Sequence, residues 1–414
     1  MAEANGARRV VVTGLGVVTP IGTTVDSFWA NMKVGKSGVS ELGGFPLDDL
    51  KILIAAQIKD FDHRARLKHF QRDKIILYAD RYSWFAAAAA DEAVKQAGLE
   101  VPFVNPNRAA CIIGSGAGGL TTFEVAYRDL FIHNKRATHP LTLLRIIGSS
   151  AAAHVGIEFG IRGPTYATCS ACSTATHAIG AARDYIKAGL VDVAIAGASE
   201  AVINYGTMKA WQALHVLSPE GCFPFAKKRN GTVLGEGAGI LVLESYEHAK
   251  ERGAKILAEI VGYGMTSDAK DMVNPGIEGP SLAMRLALED AKLAPDDIDY
   301  LNAHGTATTI NDENETNAIK DVFGKKAYQL PISSTKSMHG HPLGAGGGIE
   351  AVACIRAMQE NWVPPTIGLD DPDPKCDLDY IPNVGRNLDV NYVMSNSFAF
   401  GGLNAVLVFG PPPA

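Results

Sequence analysis

The chain has 414 residues, with 38 Lys and Arg against 44 Asp and Glu for a formal net charge of −6, and it is 47% hydrophobic and 20% charged. That length allows about two to three domain-sized units, and the balance excludes a disordered or fibrous chain. No Lys- or Arg-rich run and no uninterrupted apolar stretch of about 18 residues occurs, which argues against nucleic acid and membrane as partners.

In chain order, the first predicted element is a strand in Arg8 to Gly16. Gly14, Gly16 and Pro20 break its apolar run, so an export signal is the poorer reading. A helix is predicted over 80–99, with the alanine run Ala86 to Ala90 at its centre, then a strand over 108–116. The pattern continues with a helix over 173–190, strands over 191–199, 238–245 and 258–264, a helix over 279–293, and strands over 299–305 and 404–410. Strands alternating with helices predict an α/β protein. The order of signals also repeats: each half carries a Gly-bounded strand, followed about fifty residues later by a run of small residues that opens a helix. Residues 250–255 are the predicted boundary, giving halves 1–255 and 256–414. Two helix N-termini would then meet across a pseudo-dyad, with a cleft between them.

Cys172 precedes the helix from Ser173 among small residues that leave its sulfur approachable. A helix N-terminus favours a thiolate and prepares a nucleophile, so a lowered thiol pKa is expected; the competing reading is a buried small hydrophobe. Cys169 and Cys172 form a CxxC without a second pair at metal spacing, and the six cysteines (111, 169, 172, 222, 354, 376) are too irregular for a disulfide framework. Free thiols, no metal and a cytoplasmic location are expected. His304 and His341 stand at predicted element ends, with His339 as competitor to His341. Lys336 could hold a histidine or a carboxylate in place, and Glu350 reads as a solvated helix charge. Gly114 to Gly119 fits GxGxxG after a strand, but the acidic residue required about twenty positions on is absent, so no dinucleotide cofactor is expected.

The blocks RRVVVTGLGVVTPIG, SACSTATHAIGAA, VLGEGAGILVLE, NAHGTATTINDENET, SSTKSMHGHPLGAGG and NSFAFGGLNA together resemble the elongating 3-oxoacyl-[acyl-carrier-protein] synthases, condensing enzymes of the thiolase superfamily, nearly end to end. The resemblance implies a thiolase-like five-layered α-β-α-β-α sandwich of two pseudo-duplicated halves, with no cofactor. It implies Cys172 as acyl-accepting nucleophile, His304 and His341 as paired histidines, Lys336 as the fourth site residue, and Phe400 as oxyanion-hole donor and pocket gate. Thr306 and Thr308 match pantetheine hydrogen-bonders.

The sequence departs from the family at Phe223 to Ala226, at Arg229 to Thr232 and at Asp271 to Val273. Ala117 and Thr232 replace larger residues, and a roomier acyl pocket is expected. The implied partners are acyl carrier protein, docking on a basic rim of Arg64, Arg66, Lys68, Arg72, Lys74, Lys135 and Arg136, and a second copy in a homodimer. A specialised route (polyketide or aryl-polyene, nodulation-type or very-long-chain acyl groups) and a non-catalytic subunit of a heterodimer stand as alternatives.

Overall fold

The computed structural model describes residues 8–413. Ten segments pair into one sheet: β1 (Val10–Val18), β2 (Ala109–Gly114), β3 (Thr165–Tyr166), β4 (Val193–Glu200), β5 (Gly237–Ser245), β6 (Ala258–Ser267), β7 (Tyr300–Asn302), β8 (Ile332–Ser333), β9 (Val393–Ala399) and β10 (Leu403–Gly410). Their order is β8-β7-β9-β10-β6-β1-β5-β4-β2-β3. Outward from the β1–β6 seam, each five-stranded wing takes its own strands in the same sequence: first, fifth, fourth, second, third. The seam itself is short, with Val11 opposite Glu259 and Val12 opposite Ala258. Every residue of β1, β2, β4 and β5 is buried, as expected of strands covered on both faces.

The sheet is covered by α1 (Arg81–Ala97), α3 (Ser150–Phe159), α4 (Thr174–Lys187), α5 (Glu278–Ala291), α6 (Thr309–Phe323) and α7 (Gly346–Glu360), while α2 (Leu120–Phe131) packs against the short helix Thr142–Ile146. α1 and α3 pack on the outer face of the first wing, through Ala86 to Ala90 and Val155 against Ile113, Ile195 and Ile240. α5 and α6 do the same on the second wing, where Ala283, Ala287 and Ile319 meet Met394, Val406 and Val408. α4 and α7 fill the space between the wings: Ile179, Ala182, Ile349 and Val352 share one core with Val12 and Leu243 of the first wing and Val393 and Leu407 of the second. The result is five layers.

Close approach explains the small residues. A Cβ on Gly16 would land on the Ala89 carbonyl of α1, and one on Gly264 would land on the Ala283 carbonyl of α5. In both wings the first strand therefore lies directly against helix backbone, which fits only glycine facing alanine.

The predicted helices over 80–99, 173–190 and 279–293 appear as α1, α4 and α5, each shorter at its C-terminal end. β3, β8 and β9 had no strand signal: the first two have two residues each, and β9 (VMSNSFA) carries buried Ser and Asn that break the apolar pattern. Among the described residues no helix is long and apolar enough to cross a membrane. All six cysteines are free.

Candidate active site

Two turns set the site. Cys172 lies in the 3₁₀ turn Ala171–Ser173 that leads into α4, and the turn Leu343–Ala345, just after His341, leads into α7. Each turn opens on a non-glycine residue in the left-handed region, Ala171 at φ 47° and Leu343 at φ 43°. Such backbone costs about 1–3 kcal/mol and persists only where its surroundings enforce it. The enforcement here crosses between halves. The Ser173 hydroxyl lies 2.9 Å from the Ser397 carbonyl and 2.7 Å from the Leu403 carbonyl, and the Thr176 and Ser397 hydroxyls are 2.7 Å apart. A Cβ on Gly347 would collide with the Thr176 hydroxyl, so α4 and α7 touch at their first turns.

This packing brings together Cys172, His304 and His341, all buried. His341 Nε2 lies 3.0 Å from Cys172 Sγ, and the two imidazoles meet edge to face at 5.5 Å between centroids. Lys336, wholly buried, donates to the His304 carbonyl at 2.6 Å, lies 3.4 Å from His304 Nδ1, and forms an ion pair with Glu350. Glu350 is thus not a solvated helix charge: its position on α7 points into the central layer, where Lys336 is its counter-ion. Lys336 holds both a histidine and a carboxylate. His339 is tied instead to Thr335, at 3.0 Å, and does not line the cleft.

The electrostatics follow from these contacts. An ammonium only donates, so His304 Nδ1 accepts from Lys336 and its Nε2 carries the proton. Among the described residues His341 Nδ1 has no partner; a buried unpaired lone pair costs less than a buried unpaired N–H, which favours Nε2–H here too. Burial, with the Lys336 charge adding to it, pushes both imidazoles well below their ordinary pKa, so both are neutral at pH 7. The expected lowering of the Cys172 thiol is not what the structure gives. Burial pushes it up to about 12, against the opposing pull of the Lys336 charge and the Phe400 backbone N–H. A helix N-terminus favours the thiolate, but desolvation outweighs it in the resting site.

The donor atoms of Cys172, His304 and His341 lie within 4.8 Å of one another, a ligand set suited to zinc by type. It fits poorly by protonation. A metal on His304 Nε2 would drive the proton to Nδ1, against the Lys336 ammonium.

A cleft of about 240 Å³ opens onto this group, lined among others by Thr232, Thr306, Thr308, Val273, Phe398 and Phe400. The Thr306 and Thr308 hydroxyls are 2.9 Å apart. The Phe400 ring stacks on Trp211 at 5.8 Å, at the start of a turn where Gly401 and Gly402 both have positive φ. Ala117 lies elsewhere, in an apolar cluster with Cys172, Ile203, Leu343 and Leu120. The two small substitutions noted in the sequence therefore belong to different spaces: Ala117 to the apolar cluster, Thr232 to the cleft.

Family models for "Beta-ketoacyl synthase, N-terminal domain" and "Beta-ketoacyl synthase, C-terminal domain" match residues 7–249 and 257–370. The chain belongs to the beta-ketoacyl synthase family. Nodulation protein E of Rhizobium leguminosarum bv. trifolii is 48% identical over 402 residues, covering 97% of this chain and 99% of that protein. The 3-oxoacyl-[acyl-carrier-protein] synthase 2 of Staphylococcus aureus (strain COL) is 42% identical over 409 residues, covering 97% and 98%. Among solved structures, the ishigamide ketosynthase/chain length factor superposes with a TM-score of 0.94 at 34% identity, covering 98% of this chain and 100% of that one. The chain is a ketosynthase-type condensing enzyme, an acyltransferase, with a thiolase-type fold.

Two carboxylates of this synthase were not singled out in the sequence. Glu315, on α6, accepts the backbone N–H groups of His304 at 2.8 Å and Gly305 at 2.7 Å, and burial pushes it up to about 7. Its letter sits among Asp312, Glu313 and Asn314, and only its place on the inner face of α6, which it shares with buried Asp312, separates it from the half-exposed Glu313 and Asn314. Glu200 ends β4 and accepts from the Gly114 to Gly119 loop. The Gly116 and Ala117 amides of the GxGxxG loop are thereby turned onto a carboxylate of the chain itself.

Proposed function

We propose that the chain is a 3-oxoacyl-[acyl-carrier-protein] synthase, condensing malonyl-carrier protein with an acyl chain held on Cys172. The observation that carries this reading is the 3.0 Å contact between Cys172 Sγ and His341 Nε2, with His304 facing the same cleft. In the first half-reaction the sulfur attacks the acyl thioester. The acyl carbon–sulfur bond to pantetheine breaks, and the thiol proton leaves with the departing pantetheine sulfur. His341 Nε2–H and the Phe400 N–H stabilise the anionic sulfur while it attacks. In the second, malonyl thioester loses carbon dioxide, and the neutral Nε2–H donors of His304 and His341 hold the enolate oxygen. The enolate carbon attacks the acyl-Cys172 carbonyl. The backbone N–H groups of Cys172 and Phe400 take the tetrahedral oxyanion, and collapse releases the 3-oxoacyl product and the Cys172 thiolate, which takes a proton from solvent to restore the thiol.

Lys336 fixes the His304 tautomer in this scheme. Phe400 gates the cleft, Thr306, Thr308 and Thr232 contact the pantetheine or malonyl group, and Ala117 borders the acyl chain. The carrier protein docks on the rim of Arg64, Arg66, Lys68, Arg72, Lys74, Lys135 and Arg136, of which all but the half-buried Arg66 are exposed. We take the halves as 1–255 and 256–414, the site of action as the cytoplasm, and the working form as a homodimer. The exposed apolar residues Phe123, Tyr127, Phe131, Leu143 and Leu144 support self-association.

The relation to nodulation protein E favours a second reading, a specialised acyl chain made by the same chemistry. Intact-mass measurement after incubation with a panel of acyl-carrier proteins tests both. An adduct on Cys172 that is consumed by malonyl-carrier protein is expected, and the preferred chain separates housekeeping from specialised elongation. Protein that takes no acyl group yet activates a partner subunit would overturn the catalytic reading.

A further inference from the structure

The glycine loop after β2 spends its donors on one carboxylate. The Ser115 hydroxyl donates to Glu200 Oε1 at 2.8 Å, the Gly116 N–H to Oε2 at 2.7 Å, and the Ala117 N–H to Oε1 at 3.3 Å. Oε2 takes one more, the Gly344 N–H at 3.1 Å. Gly344 lies three residues past His341, in the turn of the second half. Glu200 is wholly buried and, among the described residues, has no Lys or Arg within ion-pair distance.

Both glycines are there because nothing larger fits. A Cβ on Gly116 would stand 2.8 Å from Glu200 Oε2, and one on Gly344 would stand 2.8 Å from the same oxygen and 2.7 Å from the Gly116 nitrogen. The loop also reaches the nucleophile's segment, since the Cys169 thiol lies 3.6 Å from the Gly116 carbonyl. One side chain thus joins the loop beside Cys172 to the turn that follows His341.

The geometry points to Glu200 as a positioning residue for condensation: its carboxylate clamps the loop 115–117 to the turn 343–345 and so keeps His341 Nε2 within reach of the Cys172 sulfur. The inference rests on the function proposed above. Burial, opposed by these donors, pushes Glu200 up to about 7, and its charge raises the Cys172 thiol. Removing that charge would by itself make the thiol more reactive. A clamp and an electrostatic bystander therefore predict opposite signs.

The substitution that separates them is Glu200→Gln, which sets an amide N–H against a backbone N–H and opens the joint. Single-turnover acylation, followed by intact mass, is expected to slow by about ten- to hundredfold at saturating acyl-carrier protein, since a displacement near 1 Å can cost about that much. Half-saturation should move by less than about twofold, because the carrier does not touch Glu200. A folded Glu200→Gln protein that acylates at the parent rate or faster, or loses only affinity, would overturn the proposal. Should it fail to fold, Ser115→Ala removes one donor and keeps the carboxylate. A rate loss with unchanged half-saturation then supports the clamp, and an unchanged rate sinks it. A crystal structure of whichever variant folds decides independently of activity: the His341–Cys172 contact should lengthen beyond hydrogen-bond reach, and an intact contact refutes the clamp. Unsubstituted protein that takes no acyl group would count against the proposed function, while the structural comparison would still judge Glu200.

Discussion

The two wings are built alike and equipped differently. Each orders its strands the same way, lays a Gly-x-Gly strand (Gly14 and Gly16, Gly262 and Gly264) on an alanine-faced helix, and enters the central layer through a 3₁₀ turn whose first residue is left-handed. Each holds the loop after its second strand on a buried carboxylate, Glu200 in one and Glu315 in the other. The first wing then presents a neutral thiol with no cation beside it on its own chain segment, whereas the second presents two imidazoles, of which His304 is anchored by the buried Lys336–Glu350 pair. The scaffold supplies position, and the chemistry comes from a handful of side chains that differ between copies.

The sharpest way to break the comparison is to disable one wing and leave the other working. Cys172→Ser should cut acyl-enzyme formation and product by about a thousandfold or more, measured by intact mass and product assay. Lys336→Ala strands the Glu350 charge in the core and should lower stability by about 3–5 kcal/mol, read from denaturant unfolding. His304→Ala should slow condensation by roughly 10²–10³-fold while Cys172 still takes its acyl group at near the parental rate, because only the second half-reaction uses that donor. Equal loss in both half-reactions would mean that the division of labour is wrong. Gly347→Ala presses on Thr176 where the two helices meet and should cost about 1–3 kcal/mol by overpacking. Finally, a thiol held near 12 predicts that iodoacetamide alkylation of Cys172 accelerates about tenfold per pH unit between 7 and 9, since the thiolate fraction grows in that proportion below the pKa. A plateau by pH 8 would show a preformed thiolate, and the first wing would then be as charged as the second.

Much of this was legible in the letters. Cys172, His304 and His341 lie in motifs whose order and spacing are specific, and the duplication showed as a repeated succession of strand, small-residue run and helix. What escaped depends on burial. Glu350 and Glu315 look like any solvated helix charge until the fold buries them, Glu350 beside Lys336 in the central layer and Glu315 against the His304–Gly305 backbone of its own wing. The helix N-terminus after Cys172 announces a favourable dipole while the desolvation that outweighs it has no local signature. β3 and β8 escaped because two residues carry no period.

The core between α4 and α7 draws residues from both wings, so neither wing owns a complete interior. A chain still emerging from the ribosome, with only its first 255 residues out, would display Ile179, Ala182, Val12 and Leu243 to water until the remainder arrives to cover them. Splitting the polypeptide at that point should therefore yield two sticky fragments that are soluble only when made together, and a newborn chain that benefits from a chaperone during the interval.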